Sequence, residues 1–248
     1  MNPSEATLFE ATLFEATLAL LTQADARLWE VLQLSFAVSG AACLAALAFG
    51  LPLGAWIAMR SPAALQTGSN RLHSLAALTL NAAMALPSVV VGLACYLLLS
   101  RAGPLGSLGL LFTPGAIVLV QTVLTVPLVA ALTRQTIEDA WAHYAEALTA
   151  LGASRRQAAL TLLWDCRFSL LTVALAGFAR AISEVGAVMI VGGNIDGVTR
   201  VMTTTIALET SKGDLPLALA LGVVLIGTVW LLNLGAFTVK DWAVRRYG

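Results

Sequence analysis

The sequence predicts an all-α integral membrane protein built on five transmembrane helices. Two observations carry this. Hydrophobic residues make up 58% of the 248-residue chain and charged residues 11%, with 14 basic and 14 acidic side chains and a mean hydropathy of +0.85. Soluble domains run at about 25% charged and about 45–50% apolar. The few charges are also spaced so as to leave uncharged stretches long enough for a helix of roughly 20 residues to cross a bilayer. This composition excludes a disordered chain, a disulfide-stapled secreted fold and nucleic-acid binding through a basic surface. The surroundings it implies are membrane lipid.

The spans follow from the charges that bound them. The first covers 31–59, between Glu30 and Arg60, and the second 72–100, between Arg71 and Arg101. The next uncharged stretch opens with Gly103, Pro104, Gly106 and Gly109, which break helices, so the third span is expected over 114–133. The fourth, 168–191, is interrupted by Arg180 and Glu184, and the fifth covers 215–239. Pro87 and Pro127 lie inside the second and third spans. Each removes a helical hydrogen bond, and either kinks a moving helix or is simply tolerated in a membrane. Trp29, Trp56 and Trp242 fall near span ends, where indole rings anchor at the interface. Trp141, Trp164 and Trp230 are expected in core packing, and Cys43, Cys95 and Cys166 as inert thiols.

Orientation follows from Lys and Arg in the loops. The first and third loops and the C-terminal tail hold nine of them, and the N-terminal tail and the other two loops hold four. The positive-inside rule then puts the N-terminus outside and the C-terminus inside, in a multi-pass protein of the cytoplasmic membrane. The expected organisation is an extracytoplasmic tail over 1–27, a transmembrane domain over 28–240 and a cytoplasmic tail over 241–248. Glu-Ala-Thr-Leu recurs from Glu5, Glu10 and Glu15. That period of five residues fits neither a helix nor a strand, and suits a tolerant tail. No Lys or Arg precedes Arg27, so the basic region of a cleaved signal peptide is missing.

The motifs of several chemistries are missing too. There is no G-x-x-x-x-G-K-[ST] loop, and Lys212 and Lys240 fit no such motif. The chain is therefore not expected to be an enzyme or its own ATPase. His73 and His143 lack partners at metal-binding spacing, and Glu184 is the one acidic residue expected at depth in the bilayer. No catalytic residue, metal ligand or cofactor is assigned.

The loop over 134–167 is the most informative segment. It carries eight charged residues: Arg134, Glu138, Asp139, Glu146, Arg155, Arg156, Asp165 and Arg167. Ala145, Leu148 and Leu151 recur at helical spacing, Gly152 suits the residue just past a helix end, and Ser154 with Gln157 forms a capping-box pattern. A short helix, a glycine turn and a second helix result. Glu146-Ala147, with Gly152 six residues after the glutamate and an apolar helix beyond, resembles the E-A-A-x-x-x-G coupling loop of permease subunits in ABC importers.

The resemblance covers roughly residues 30–240 and implies a type I importer permease fold. It implies that Glu146, Ala147, Leu148, Leu151 and Gly152 form a coupling helix seated in a groove of an ABC ATPase subunit. Ala147 would let the partner approach closely, Glu146 would orient it, and Gly152 would supply a turn that a Cβ would obstruct. The chain departs from the family pattern at Leu148, where alanine is usual, and at Trp164-Asp165, where Leu-Pro is usual. The resemblance further implies a homodimer, two copies of the ATPase and an extracytoplasmic oxyanion-binding protein.

Arg180 through Ile195 and Thr199 through Lys212 resemble the tungstate-type permeases, relatives of the molybdate and sulfate permeases. Tungstate is the cargo this implies, with molybdate or sulfate as the alternative. A gradient-driven secondary transporter is a more distant alternative, and the inverted repeats it would show are not seen. Arg180 and Glu184, four residues apart, share a helix face. Each charge near mid-bilayer costs roughly 2.5–3.5 kcal/mol, so the two either pair to hold the bundle or line the path with Ser183. Arg200, Thr203 and Thr204 offer a guanidinium and hydroxyls that either coordinate a tetrahedral dianion in passing or cap a short surface helix.

Overall fold

The computed structural model describes residues 26–60 and 71–247, together with Glu15, Thr17 and Ala19. Most of the N-terminal repeat and the first inter-span loop lie outside the described residues. The described residues form nine α-helices: α1 Ala26–Ala58, α2 Arg71–Met84, α3 Ser88–Leu99, α4 Pro114–Ala150, α5 Arg155–Asp165, α6 Arg167–Ile182, α7 Gly186–Gly192, α8 Met202–Lys212 and α9 Leu215–Tyr247. Three of them, α1, α4 and the first part of α9, are unbroken and apolar enough to cross a membrane. Counting each bent pair, α2 with α3 and α5 with α6, as one span brings the number among the described residues to as many as five.

The second span is not one helix. It stops at Met84 and restarts at Ser88 in a new direction, bent by 93°. Pro87 is the cause: it has no N–H to give, and it pushes the residue before it out of the helical region. The fourth span also divides, with α6 ending at Ile182 and the seven-residue α7 beginning at Gly186. The expected helix over 114–133 runs on instead to Ala150, so the third span and the first helix of the loop are one rod of 37 residues. At 1.5 Å per residue that rod is about 55 Å long. No glycine or proline lies between Thr133 and Ala150 to stop it. Arg134 bridges the change of polarity by pairing with Glu138 at 2.7 Å. Pro127 sits inside α4 and Pro52 inside α1 without ending either helix.

α1 and α4 form the central pair. Ala42, Ala46, Gly50, Gly54 and Ala58 recur every four residues along α1 and are all buried. This is the small-residue packing by which membrane helices approach closely. A Cβ on Gly50 would stand 2.6 Å from Val129 Cγ1. α6 joins on one side through Leu170 and Val173, which pack with Ala46 and Val129. α3 and α7 join on the other, where Cys95 and Leu99 meet Ile117, Val120, Val188 and Val191. Near Ala58 a further cluster holds Ile137 of α4 against Ala158 and Leu162 of α5. α5 is bent by 76° from α6, so it lies across the end of the bundle.

Two of the tryptophans expected in the core are outside it. Trp164 and Trp230 are 72% and 70% exposed, because their helices turn those faces away from the bundle. Trp141 does pack against the cluster around Ile137. Trp56 stands under the Arg60 guanidinium, 4.1 Å from its ring centre, and Trp242 meets Phe168 edge-on at 6.1 Å.

Gly92 tests the packing of the broken spans. A Cβ there would lie 2.7 Å from Ala187 Cα, a main-chain atom that cannot step aside. Gly92→Val should destabilise the purified protein by about 1–3 kcal/mol. Gly222→Ala, where a Cβ meets open space, should leave the melting temperature in detergent unchanged.

Candidate translocation site and coupling surface

The two broken spans meet at their breaks. A Cβ on Gly186, the first residue of α7, would fall 2.7 Å from Val89 Cγ2 and 3.3 Å from Ser88 Oγ, at the start of α3. Glu184 sits between them with 4% of its surface exposed. Its carboxylate accepts Arg180 Nη1 at 2.6 Å, the Ala187 N–H at 3.1 Å and the Ser88 hydroxyl. Its carbonyl accepts the Thr203 hydroxyl at 2.8 Å. One residue therefore ties α3, α6, α7 and α8 together.

Neighbouring polar groups complete the arrangement. Gln121 of α4 donates to the Ala181 carbonyl at 2.8 Å and to Ser39 of α1 at 3.4 Å. Ser35 accepts the Met202 N–H at 2.8 Å, satisfying the first turn of α8. Ser183 is exposed, and its hydroxyl returns to the Ala179 carbonyl at 2.8 Å. Sequence reasoning found Arg180, Ser183 and Glu184 but missed Ser35, Ser39, Ser88 and Gln121. The signal was a hydrogen-bonding side chain in an uncharged span, since such a group needs a partner in lipid.

The expected grouping of Arg200 with Thr203 and Thr204 is not what the fold assembles. Both threonines are buried, and their hydroxyls donate to the Glu184 and Val201 carbonyls. The threonines face inward because α8 packs on α1 and α6 through Met202, leaving its first turn under the α6–α7 break. Arg200 pairs instead with Asp196 at 2.8 Å, beside a cavity of about 410 Å³ that Arg27, Glu30 and Glu209 also line. Its mixed charge does not make it an anion pocket.

The other end of the bundle carries the second site. α4 ends in a Schellman motif: the Gly152 N–H bonds the Thr149 carbonyl and the Ala153 N–H the Leu148 carbonyl, both at 3.0 Å. Gly152 takes φ +66°, a left-handed conformation that favours glycine. Ser154 then caps α5 in a capping box with Gln157. Glu146, Ala147 and Gly152 are exposed, and Leu148 is half-buried against α5. Leu151 does not continue the stripe of Ala145 and Leu148. It is 82% exposed: its backbone is still helical, and six residues on from Ala145 it points about 120° away round the helix, off the face that packs on α5. Tyr144 bonds the carboxylate of Asp165, which pins the end of α4 to the end of α5. Trp164 beside it lies under the Arg167 guanidinium, 5.2 Å from ring centre to Cζ.

Broken helices that meet around an ion pair with one buried and one partly exposed member, with a helix–turn–helix exposed at one end, are features of a membrane transport protein. The chain belongs to the family of binding-protein-dependent transport system inner membrane components, whose model matches residues 50–248. It is 37% identical to the tungstate uptake system permease protein TupB of Peptoclostridium acidaminophilum over 222 residues, 90% of this chain and 94% of that one. It is 39% identical to the tungstate uptake system permease protein TupB of Campylobacter jejuni over 163 residues, 66% of this chain and 68% of that one. An inward-facing structure of the MetNI methionine ABC transporter shares the fold, with a TM-score of 0.68 at 17% identity, covering 86% of this chain and 92% of that one.

The contact between Tyr144 and Asp165 has a pH signature. The hydrogen bond to Asp165, and then that residue's negative charge, hold the Tyr144 phenol above its usual pKa. The fold prefers the protonated phenol, so the contact is intact below the ordinary pKa of about 10 and is lost as pH rises through the higher folded value. Asp165→Asn should move the Tyr144 titration back down. The check is ultraviolet tyrosinate titration, with Tyr144→Phe subtracted.

Proposed function

We propose that this chain is the translocating subunit of an ATP-driven importer that brings tungstate across the cytoplasmic membrane. The observation that carries this is the similarity along 90% of the chain to a permease of a tungstate uptake system. The geometry supports a permease through its broken helices, the ion pair of buried Glu184 with partly exposed Arg180, and the exposed turn at Gly152.

In this reading two copies of the chain face one another across the path, with N-termini outside and C-termini inside. Two ABC ATPase subunits bind the inner face. A binding protein delivers the anion outside, and high-affinity recognition belongs to it, since a path that held the anion tightly would not release it. ATP binding closes the ATPases on the coupling surface formed by Glu146, Ala147, Leu148, Leu151 and Gly152. α4 carries that movement to the breaks, the path opens outward past Arg180, Ser183 and Glu184, and hydrolysis resets it.

The test is uptake by proteoliposomes holding the permease and its ATPase, with loaded binding protein outside and ATP inside. Excess unlabelled tungstate should suppress labelled uptake, and molybdate and sulfate should compete less well. Uptake that survives ATP depletion but collapses with an uncoupler would replace the ATP-driven reading by a gradient-driven one. Gly152→Val tests the coupling surface. A left-handed residue with a Cβ costs about 1–2 kcal/mol, and a branched one crowds the turn further. The variant should insert into the membrane normally, lose its ATPase on affinity purification and lose uptake.

A further inference from the structure

Arg180 and Glu184 form a close ion pair, but the two are held very differently. Glu184 is 5% exposed at its side chain and has a main-chain N–H and a hydroxyl as partners besides the guanidinium. Arg180 is 33% exposed and reaches Glu184 through Nη1 alone among the described residues. A guanidinium has five N–H donors in a planar fork, a geometry that matches two oxygens of an oxyanion. Most of that fork is left over.

The position of Arg180 adds to this. It lies thirteen residues beyond Arg167, about 20 Å along α6 at 1.5 Å per residue, well inside the span. Exposed Ser183 and Val185 stand beside it at the break. A partly exposed arginine at such depth faces a water-filled path or another protein surface, because lipid does not solvate it.

We infer that Arg180 is the group that touches the passing anion, and that Glu184 is a resident counter-ion which the anion displaces. This rests on the oxyanion-importer reading above and deepens it. The tetrahedral dianion takes the free face of the fork, Arg180 swings from Glu184 onto it, and Glu184 recaptures the guanidinium as the anion leaves. No bond is made or broken covalently. Glu184 tolerates the exchange because the Ala187 N–H and the Ser88 hydroxyl still satisfy it. A bare arginine would hold the dianion and stall transport. An arginine locked by partners of its own would not contact the anion at all. The pair sets an intermediate hold, and Glu184 acts as the positioning residue that sets it.

The measurement is equilibrium binding of radiolabelled tungstate to the purified permease–ATPase complex without binding protein, beside uptake in proteoliposomes. Glu184→Gln keeps an oxygen for the Ala187 N–H and removes the competing charge. It should tighten tungstate binding about tenfold and slow uptake. Arg180→Gln should lose both, and the double variant should bind no better than Arg180→Gln while melting near the wild type. A purely structural pair predicts the opposite for the double variant, which would then transport like the wild type. That result, or unchanged tungstate binding by Glu184→Gln, overturns the exchange. If Arg180→Gln does not fold, Arg180→Lys replaces it: the charge remains but the fork is gone, so binding should weaken, and unchanged binding overturns the proposal. A wild-type complex that imports molybdate or sulfate but not tungstate would overturn the cargo assignment, and the same variants would then decide the exchange with that anion.

Discussion

A helix that breaks inside a bilayer leaves main-chain groups with no water to bind, at a cost of several kcal/mol for each one unsatisfied. The rest of this structure depends on how that cost is met at the α6–α7 break. Glu184 does most of it. Its carboxylate takes the Ala187 N–H in the first turn of α7 and the hydroxyl of Ser88, and its carbonyl takes the Thr203 hydroxyl. Gln121 meets the Ala181 carbonyl one turn earlier. Each partner comes from a different helix, so satisfying one break fixes the relative places of α3, α4, α7 and α8. The break in the second span lies against it, and Gly92 lets α3 come close enough to Ala187 for the two to share partners.

Much of this was legible in the sequence, and what was not has physical reasons. The charges bounding the spans marked five membrane crossings, because a charge in lipid is expensive wherever it stands. Gly152, Ser154 and Gln157 announced their turn and cap, because those conformations depend on few neighbours. Arg180 and Glu184 were found by being charges in an apolar run. The breaks themselves were not read. Pro87 reads equally as a kink or a full stop, since Pro127 and Pro52 sit inside continuous helices. What decides is whether partners exist for the freed groups, and those partners come from distant parts of the chain: Ser88 and Glu184 are almost a hundred residues apart.

The ends of helices were misjudged for a related reason. Hydropathy tells where lipid stops, but a helix stops only where its backbone is interrupted. α4 therefore continues past Thr133 into the polar loop with the Arg134–Glu138 pair alongside. Leu151 and the threonines of α8 show the same limit at the level of one side chain. Helical spacing put Leu151 in the stripe of Leu148, but a step of three residues drifts round the helix, and by Leu151 the stripe has left the face packed on α5. Thr203 and Thr204 read as anion-contacting hydroxyls or as caps of a surface helix; Thr204 does accept the Val201 N–H at the start of α8, yet both are buried, with hydroxyls turned to main-chain carbonyls. Tertiary satisfaction, which no local pattern encodes, decides both.

The length of α4 gives these details a common consequence. Gln121 and Ala150, two residues before Gly152, belong to one helix, about 44 Å apart at 1.5 Å per residue. A helix transmits an axial push or a tilt over such a distance, since its hydrogen bonds fix its rise. The small-residue ladder of α1 holds α4 laterally along much of that length, with Gly50 against Val129. In the proposed mechanism, movement imposed at the Gly152 turn reaches the Ala181 carbonyl, in the last turn of α6 near Glu184. A bistable element is needed at the far end if such movement is to switch anything. In the exchange inferred above, a pair of broken helices sharing one carboxylate is such an element, since moving a hydrogen bond from one partner to another is a discrete step where an unbroken bundle would only strain.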